Sequence, residues 1–355
     1  MYRILLIEDS EADASVCKDA IDMMNDEKPE RELELTIAAT YEEAIETLDN
    51  QFNGVIVDIK LNDGNSGNDI IHTIISNYRI PVAVMTGTPD TDLEEKSPIV
   101  VYKKGEKTYK DIIDDLVVSF DTGLFNVIGG NGILEETMNK VFWRNLYPQI
   151  KSWTELKREG YDTEKILLRY AISHIQELLD YEVPAYVTHE MYIKPPINEN
   201  VKTGTILRNK EDGNYCIVLS PPCDLALHNG KMKTDTIMVC EIESEEKISK
   251  EIIGTTGEAK RKKVLLPAIK NNYKEYYHWL PQNGLFEGGY VNFRHTLNYS
   301  PNELDQYFEK FDLQLTNFFV KDILSRFSAY YARQGQPDFE FDTEAEKIIK
   351  KYFNN

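Results

Sequence analysis

Arg3-Ile4-Leu5-Leu6-Ile7-Glu8-Asp9, near the start of the chain, is an apolar run that ends in two acids. Three further apolar runs also end at a polar residue, namely 54–57 before Asp58, 81–85 before Thr86 and 98–102 before Lys103. Such runs are typical of strands buried on both faces of a parallel sheet. Because the carboxyl ends of parallel strands meet at one edge, we expect these polar side chains to gather there.

Helical patterns separate the strands. Apolar residues recur at helical spacing after Asp9, and Thr40 with Glu43 forms a capping box that predicts a second helix over residues 42–50. A third helix is expected over residues 68–77. Alternating strands and helices predict an α/β fold, a flavodoxin-like doubly wound sheet.

Length and charge limit the number of domains and the kinds of partner. The chain has 355 residues, enough for two or three domains, and a net charge of −20. Residues 1–120 hold 26 acidic and 11 basic residues, so most of the negative charge lies there. This balance argues against nucleic acid as a general partner. No apolar run is long enough to span a membrane, and the four cysteines form no CxxC pair, so we expect a cytoplasmic protein.

The strand-end residues resemble those of the receiver domain of two-component response regulators. By that resemblance Asp58 accepts a phosphoryl group from a histidine kinase, and Thr86 and Lys103 contact the phosphoryl oxygens. The resemblance also implies a Mg²⁺ ion, held by Asp9 directly, by Glu8 through water, and by Asp58. The resemblance also gives the backbone carbonyl of Lys60 as the remaining metal ligand.

Two features depart from that family. The first is Lys103-Lys104-Gly105, which stands where the family has Lys-Pro. Either lysine could point inward, and we favour Lys103 because it directly follows the apolar run. The sixteen residues between Thr86 and Lys103 leave little room for a fourth helix, so the usual dimer is not predicted and the oligomeric state stays open.

The remaining chain changes character twice. We predict a receiver domain over residues 1–122, a helical connector over 123–182, and a β-rich α+β output domain with C-terminal helices over 183–355. Helical periodicity is expected over residues 302–308, 313–331 and 344–353. Residues 204–206 and 216–220 also resemble the opening of small SH3-like barrels, a fold that some toxin ribonucleases have.

The cysteines of this region allow several interpretations. Cys216, Cys223, His228 and Cys240 could bind zinc, but their spacing matches no standard zinc motif. Cys223 could be a nucleophile with His228 or His295 as its base. We favour a core role for Cys216 and Cys240, and a tight turn around Asp224.

Two surface features remain. The basic run Lys260–Lys263, followed by several aromatic residues, could bind RNA or the acidic receiver, but a solvated loop between strands is the simpler interpretation. Residues 333–338 form a polar run that could be a second binding surface or a helix stop.

The sequence therefore predicts a response regulator in which phosphorylation of Asp58 switches a protein-binding output domain. It is not predicted to be a dedicated enzyme. The alternatives are a receiver-switched effector enzyme such as a nuclease, and a phosphate sink in a defensive, antiphage two-component system.

Overall fold

The structure is a computed structural model. It describes residues 1–61, 67–87, 99–129, 132–180, 185–197, 200–228, 231–284, 286–333, 338 and 340–353, with Asp180, His228 and Lys231 limited to the backbone. The chain divides into two compact units, Met1–Glu182 and Val183–Asn355.

A five-stranded parallel sheet forms the centre of the first unit. Its strands are β1 (Tyr2–Ile7), β2 (Leu33–Ala38), β3 (Gly54–Val57), β4 (Val82–Thr86) and β5 (Val100–Lys103). They lie in the order β2-β1-β3-β4-β5. This is the flavodoxin-like order, and it confirms the predicted fold.

Helices accompany the strands of this sheet and continue after it. They are α1 (Glu11–Glu27), α2 (Tyr41–Thr47), α3 (Gly67–Asn77), α4 (Tyr109–Asp121), α5 (Leu124–Ile128), α6 (Ile133–Val141), α7 (Ile150–Arg158) and α8 (Thr163–Asp180). A π-helical turn, Phe142–Leu146, and a 3₁₀ turn, Tyr147–Gln149, join α6 to α7. Thr40 caps α2 by accepting a hydrogen bond from the backbone nitrogen of Glu43, as the sequence predicts.

Alternate residues of β1 supply the cores on both faces of the sheet. Leu5 and Ile7 pack with the apolar side of α3, whereas Ile4 and Leu6 pack with residues of α1 and α4. Because successive side chains of a strand point to opposite faces, a strand covered on both sides must be apolar throughout. The polar residues that follow the strands are therefore confined to the strand ends.

The second unit is built on a seven-stranded antiparallel sheet. Its strands are β6 (Tyr192–Ile193), β7 (Thr205–Asn209), β8 (Tyr215–Val218), β11 (Ile237–Ser244), β12 (Tyr277–Leu280), β13 (Gly289–Tyr299) and β14 (Phe308–Leu315). Their order is β12-β13-β11-β8-β7-β14-β6. A separate two-stranded ribbon pairs β9 (Leu227–His228) with β10 (Lys231–Met232).

Helices cover parts of this sheet. They are α9 (Pro222–Leu225), α10 (Glu245–Ile253), α11 (Glu258–Ile269), α12 (Pro301–Tyr307), α13 (Asn317–Tyr331) and α14 (Phe341–Tyr352), with a 3₁₀ turn at Thr188–Met191. Val320 and Ile323 of α13 are buried against one face of the sheet, beside Phe293 of β13. Leu304 of α12 belongs to a separate cluster that includes Val239 of β11.

Two sequence predictions in this unit are wrong. Leu313 and Leu315 belong to β14, not to a helix, because both fill the core of the sheet; α13 begins after Thr316. The run Lys260–Lys263 lies in helix α11, not in a loop between strands. Within the part of the chain that the structure describes, no helix is long and apolar enough to cross a membrane.

Candidate functional site

The carboxyl ends of β1, β3 and β4 bring three polar side chains to one edge of the sheet. Ile7 pairs with Val57, and Val57 pairs with Val84, so Glu8 and Asp58, which follow β1 and β3, lie near Thr86, the last residue of β4. Glu8, Asp58 and Thr86 are all buried, with 2%, 6% and 0% of their surface exposed. Asp9, the second acid of the pair, is half-buried. Three of the predicted site residues thus lie together in a region largely closed to water.

Lys104 joins the two buried carboxylates. Its Nζ lies 2.9 Å from Asp58 Oδ2 and 2.7 Å from Glu8 Oε2. It also contacts Asp13 Oδ2 at 2.6 Å. One ammonium group therefore neutralises three carboxylates that would otherwise repel one another.

The preference for Lys103 is wrong. Lys103 is the last residue of β5, pairs with Thr86 and has an exposed side chain. Lys104 follows the strand, and its backbone nitrogen donates to the Thr86 carbonyl at 2.8 Å. Because consecutive side chains of an extended chain point to opposite sides, only one of the two lysines can reach Asp58.

Asp13 is a site residue that sequence reasoning missed. It lies in the first turn of α1, where the N-cap Ser10 accepts a hydrogen bond from its backbone nitrogen. An acid is favourable at a helix N-terminus, which explains its position without any functional role. The sequence carries no signal that links Asp13 to the strand ends.

The backbone after β3 holds the Asp58 carboxylate. The backbone nitrogen of Lys60 donates to Asp58 Oδ1 at 3.3 Å, while the Lys60 side chain is exposed. Gly67 passes so close that a Cβ there would lie 2.1 Å from the carbonyl oxygen of Asp58. A glycine at position 67 is therefore needed for the chain to return against the site.

Burial and charge shift the pKa values of this site in opposing ways. Removal from water raises the pKa of Glu8, and its hydrogen bonds to Lys104 and Ser10 do not fully reverse that effect. For Lys104, burial alone would lower the pKa, but hydrogen bonds to Asp13, Glu8 and Asp58 outweigh burial and raise it. Lys104 is therefore a firmly charged ammonium at neutral pH.

The donor chemistry of the site suits a hard divalent cation. Glu8, Asp9 and Asp58 offer carboxylate oxygens, which Mg²⁺ prefers. Among the described residues, however, no three His, Cys, Asp or Glu side chains are close enough together to hold a metal ion. The Lys104 ammonium provides the positive charge between Glu8 and Asp58 in this arrangement.

Among the described side chains, Cys223 and His295 of the second unit do not converge on one site. Cys223 is exposed and donates to Asp224 Oδ1 at 3.6 Å, whereas His295 Nδ1 lies 3.1 Å from Glu241. Among the described contacts, none joins Cys223 to His295, and the His228 side chain lies outside the described residues. Residues 222–225 form a one-turn helix, not the expected tight turn.

Cys216 and Cys240 are core residues, as their alternation predicts. Both are buried, and burial raises the pKa of the Cys216 thiol to about 12. A thiol that stays protonated at neutral pH is a poor nucleophile, because the thiolate is the reactive form.

The sheet order defines the first unit as a flavodoxin-like fold. Solved structures of receiver domains are similar to this third of the chain. A CheY-like receiver domain from Methanospirillum hungatei JF-1 is 20% identical, with a TM-score of 0.28, and the match covers 34% of this chain and 95% of that one. The REC domain of PhyR from Erythrobacter litoralis is 22% identical, with a TM-score of 0.28, covering 34% and 90%.

A longer response regulator shows the same partial likeness. PhyR from Brucella abortus is 24% identical, with a TM-score of 0.29, and the match covers 35% of this chain and 50% of that one. No protein-family model and no curated protein matches the chain.

Proposed function

We propose that this chain is a response regulator that accepts a phosphoryl group on Asp58 from a histidine kinase. The observation that carries the proposal is the position of Lys104, whose ammonium contacts both Asp58 and Glu8 at the carboxyl edge of the sheet. Asp58 contacts the Lys104 ammonium, and the buried Thr86 ends the neighbouring strand β4. A cation and a hydroxyl near the acceptor carboxylate suit phosphoryl transfer.

The proposed reaction needs positioning and charge neutralisation more than covalent help. An Asp58 oxygen attacks the phosphorus of a phosphohistidine, the phosphorus–nitrogen bond breaks, and its electron pair returns to the imidazole. Lys104 then pairs with one phosphoryl oxygen, and the Thr86 hydroxyl donates to another. Burial of Asp58 and Thr86 strengthens these interactions because water is largely excluded.

We further propose that Asp9, Asp58 and the backbone carbonyl of Lys60 hold Mg²⁺ directly and that Glu8 does so through water. When bound, the ion would neutralise charge on the phosphoryl oxygens. The raised pKa of Glu8 supports this proposal, because burial disfavours the ionised form of Glu8 and a nearby cation would favour it.

The second unit is proposed to bind a protein partner under the control of Asp58. The support is that, among the described residues, the candidate nucleophile Cys223 and the candidate base His295 share no contact. Cytoplasmic action and a role in antiphage defence stay predictions from the sequence.

The test is a phosphorylation assay with acetyl phosphate and Mg²⁺, read by mass and by phosphate-affinity electrophoresis. The wild type should gain one acid-stable, base-labile phosphoryl group, and Asp58→Ala should gain none. Asp19→Ala, which removes an exposed acid of α1, is the matched control and should label normally. Equal labelling of Asp58→Ala and wild type would refute the acceptor assignment.

A further inference from the structure

The second unit contains a cluster of cations stacked on tyrosines. The Arg294 guanidinium carbon lies 3.7 Å from the ring centre of Tyr276, and that of Arg333 lies 4.2 Å from the ring centre of Tyr330. Arg294 Nε also donates to the Tyr330 hydroxyl at 3.3 Å, which links the two pairs. These contacts fix the orientation of both guanidinium groups before any ligand arrives.

A cavity of about 630 Å³ lies beside this cluster, a size suited to a small ligand. Its lining includes Asn271, Tyr273, Lys274, Glu275, Arg326 and Arg333. It is formed by the turn between α11 and β12 and by the C-terminal end of α13. Three cations thus line one cavity in a chain whose net charge is −20.

Arg326 is held in the cavity lining by hydrogen bonds from part of its guanidinium group. Its Nη2 donates to the carbonyl oxygens of Asn271, at 2.6 Å, and of Tyr277, at 3.4 Å. Its Nε is buried and has no hydrogen-bond partner among the described residues. A buried donor without a partner is unfavourable, so the Arg326 guanidinium keeps unsatisfied hydrogen-bonding capacity.

The acids near the cavity cancel only part of its positive charge. Glu275, which also lines the cavity, pairs with Arg333, and Glu251 contacts Lys274 Nζ at 3.1 Å. Among the described lining residues, three cations therefore stand against one carboxylate. A stacked arginine keeps its N–H groups in the plane of the guanidinium, where they can still donate to oxygens.

From these observations we infer that the cavity binds a nucleoside monophosphate. Arg326, Arg333 and Lys274 contact the phosphate, and Tyr273 and Tyr330 provide aromatic surface for the base. This site lies in the second unit, whereas Asp58 belongs to the first.

Isothermal titration calorimetry with the full chain tests the assignment. The probes are the four ribonucleoside 5′-monophosphates, ribose 5-phosphate, inorganic phosphate and adenosine. At least one monophosphate should bind with a Kd below about 1 mM and more tightly than ribose 5-phosphate. Binding of none of the four in that range overturns the inference. Equal affinity for ribose 5-phosphate overturns the base contact, and equal affinity for adenosine overturns the phosphate contact.

Paired variants locate the site. Arg333→Gln should weaken binding about tenfold, whereas Glu275→Gln should strengthen it severalfold because it releases Arg333. Arg261→Gln removes an exposed arginine of α11 outside the cavity and should leave the affinity within about twofold. Equal losses in Arg333→Gln and Arg261→Gln, or no loss in Arg333→Gln when its melting temperature matches wild type, would overturn the location.

Discussion

Lys104 Nζ lies 2.9 Å from Asp58 Oδ2, although the two residues come from the ends of strands that are not adjacent in the sheet. β4 separates β3 from β5, and the long lysine side chain spans that width. The same ammonium contacts Glu8 after β1 and Asp13 on α1. A single residue therefore connects four elements of the first unit, and its removal should affect both stability and chemistry.

Replacing Lys104 should be far more harmful than replacing Lys103. Lys104→Met leaves two buried carboxylates without their cation, so the free energy of unfolding should fall by about 2 kcal/mol at pH 7. Lys103→Met, at an exposed position, should change it by less than about 0.5 kcal/mol. Urea denaturation measures both. Similar values for the two variants would mean that Lys104 is not the lysine of the site.

Glu8→Gln should stabilise the protein at neutral pH. The folded-state pKa of Glu8 is raised, so the folded protein holds this proton to a higher pH than the unfolded chain does. Stability is therefore lost as pH rises from the unfolded pKa through the folded pKa. The gain from Glu8→Gln should be absent below pH about 4.5 and complete above the folded pKa. Urea denaturation from pH 4 to 8 tests this, with the exposed Glu46→Gln as control; a variant less stable than wild type at pH 7 would contradict it.

Gly67→Ala should destabilise the first unit by about 1–3 kcal/mol, because the new Cβ would meet the Asp58 carbonyl oxygen at 2.1 Å. Gly87→Ala is a matched control, since a Cβ there has nothing within 4 Å. The melting temperature and the rate of Asp58 labelling should both fall in Gly67→Ala and stay unchanged in Gly87→Ala. Unchanged melting temperatures in both variants would show that Gly67 can move away from Asp58 without cost.

His278 should make the second unit sensitive to acid. Burial, with a smaller contribution from the Arg326 charge, lowers the pKa of this histidine to about 3. The Asp322 carboxylate lies 3.9 Å from Nδ1, beyond hydrogen-bond distance, and is largely exposed, so it does not offset burial. Since the unfolded chain binds this proton near pH 6.5 and the folded chain does not, stability falls as pH drops below 6.5.

The expected loss from His278 is about 2 kcal/mol at pH 5 relative to pH 8. His278→Leu removes a ring whose two nitrogens have no partner among the described residues, and it should remove this part of the pH dependence. His189→Leu, at an exposed position, should keep it. An unchanged pH dependence in His278→Leu would show that other groups cause the acid sensitivity.

Metal binding should be visible as stabilisation. Mg²⁺ that binds the folded state alone should raise the melting temperature of the wild type, by an amount that grows with concentration. Asp9→Asn removes a proposed ligand and should abolish the rise. Because the substitution also relieves repulsion between acids, stability without Mg²⁺ should be equal or higher. A large loss of stability without metal would instead make Asp9 a structural residue.

The sequence by itself determined the sheet and the edge at which the site lies. Runs such as Ile4–Ile7 are apolar at every position, and only a strand covered on both faces requires that pattern. The polar residue after each run, Glu8, Asp58 or Thr86, is then fixed at the carboxyl edge by local chain geometry. The apolar strands and the polar residues at their ends depend on neighbours in the chain, so the sequence pattern predicts them.

Only the tertiary structure decided which side chains meet. The choice of Lys104 over Lys103 depends on where β5 ends, and the participation of Asp13 depends on how α1 packs. The assignment of Leu313 and Leu315 to a strand depends on the core they fill, and the cavity at Arg326 and Arg333 depends on α13 lying beside the turn that carries Lys274. Contacts between residues far apart in the chain leave no periodic trace in the sequence, because each partner is also compatible with an ordinary exposed or buried position.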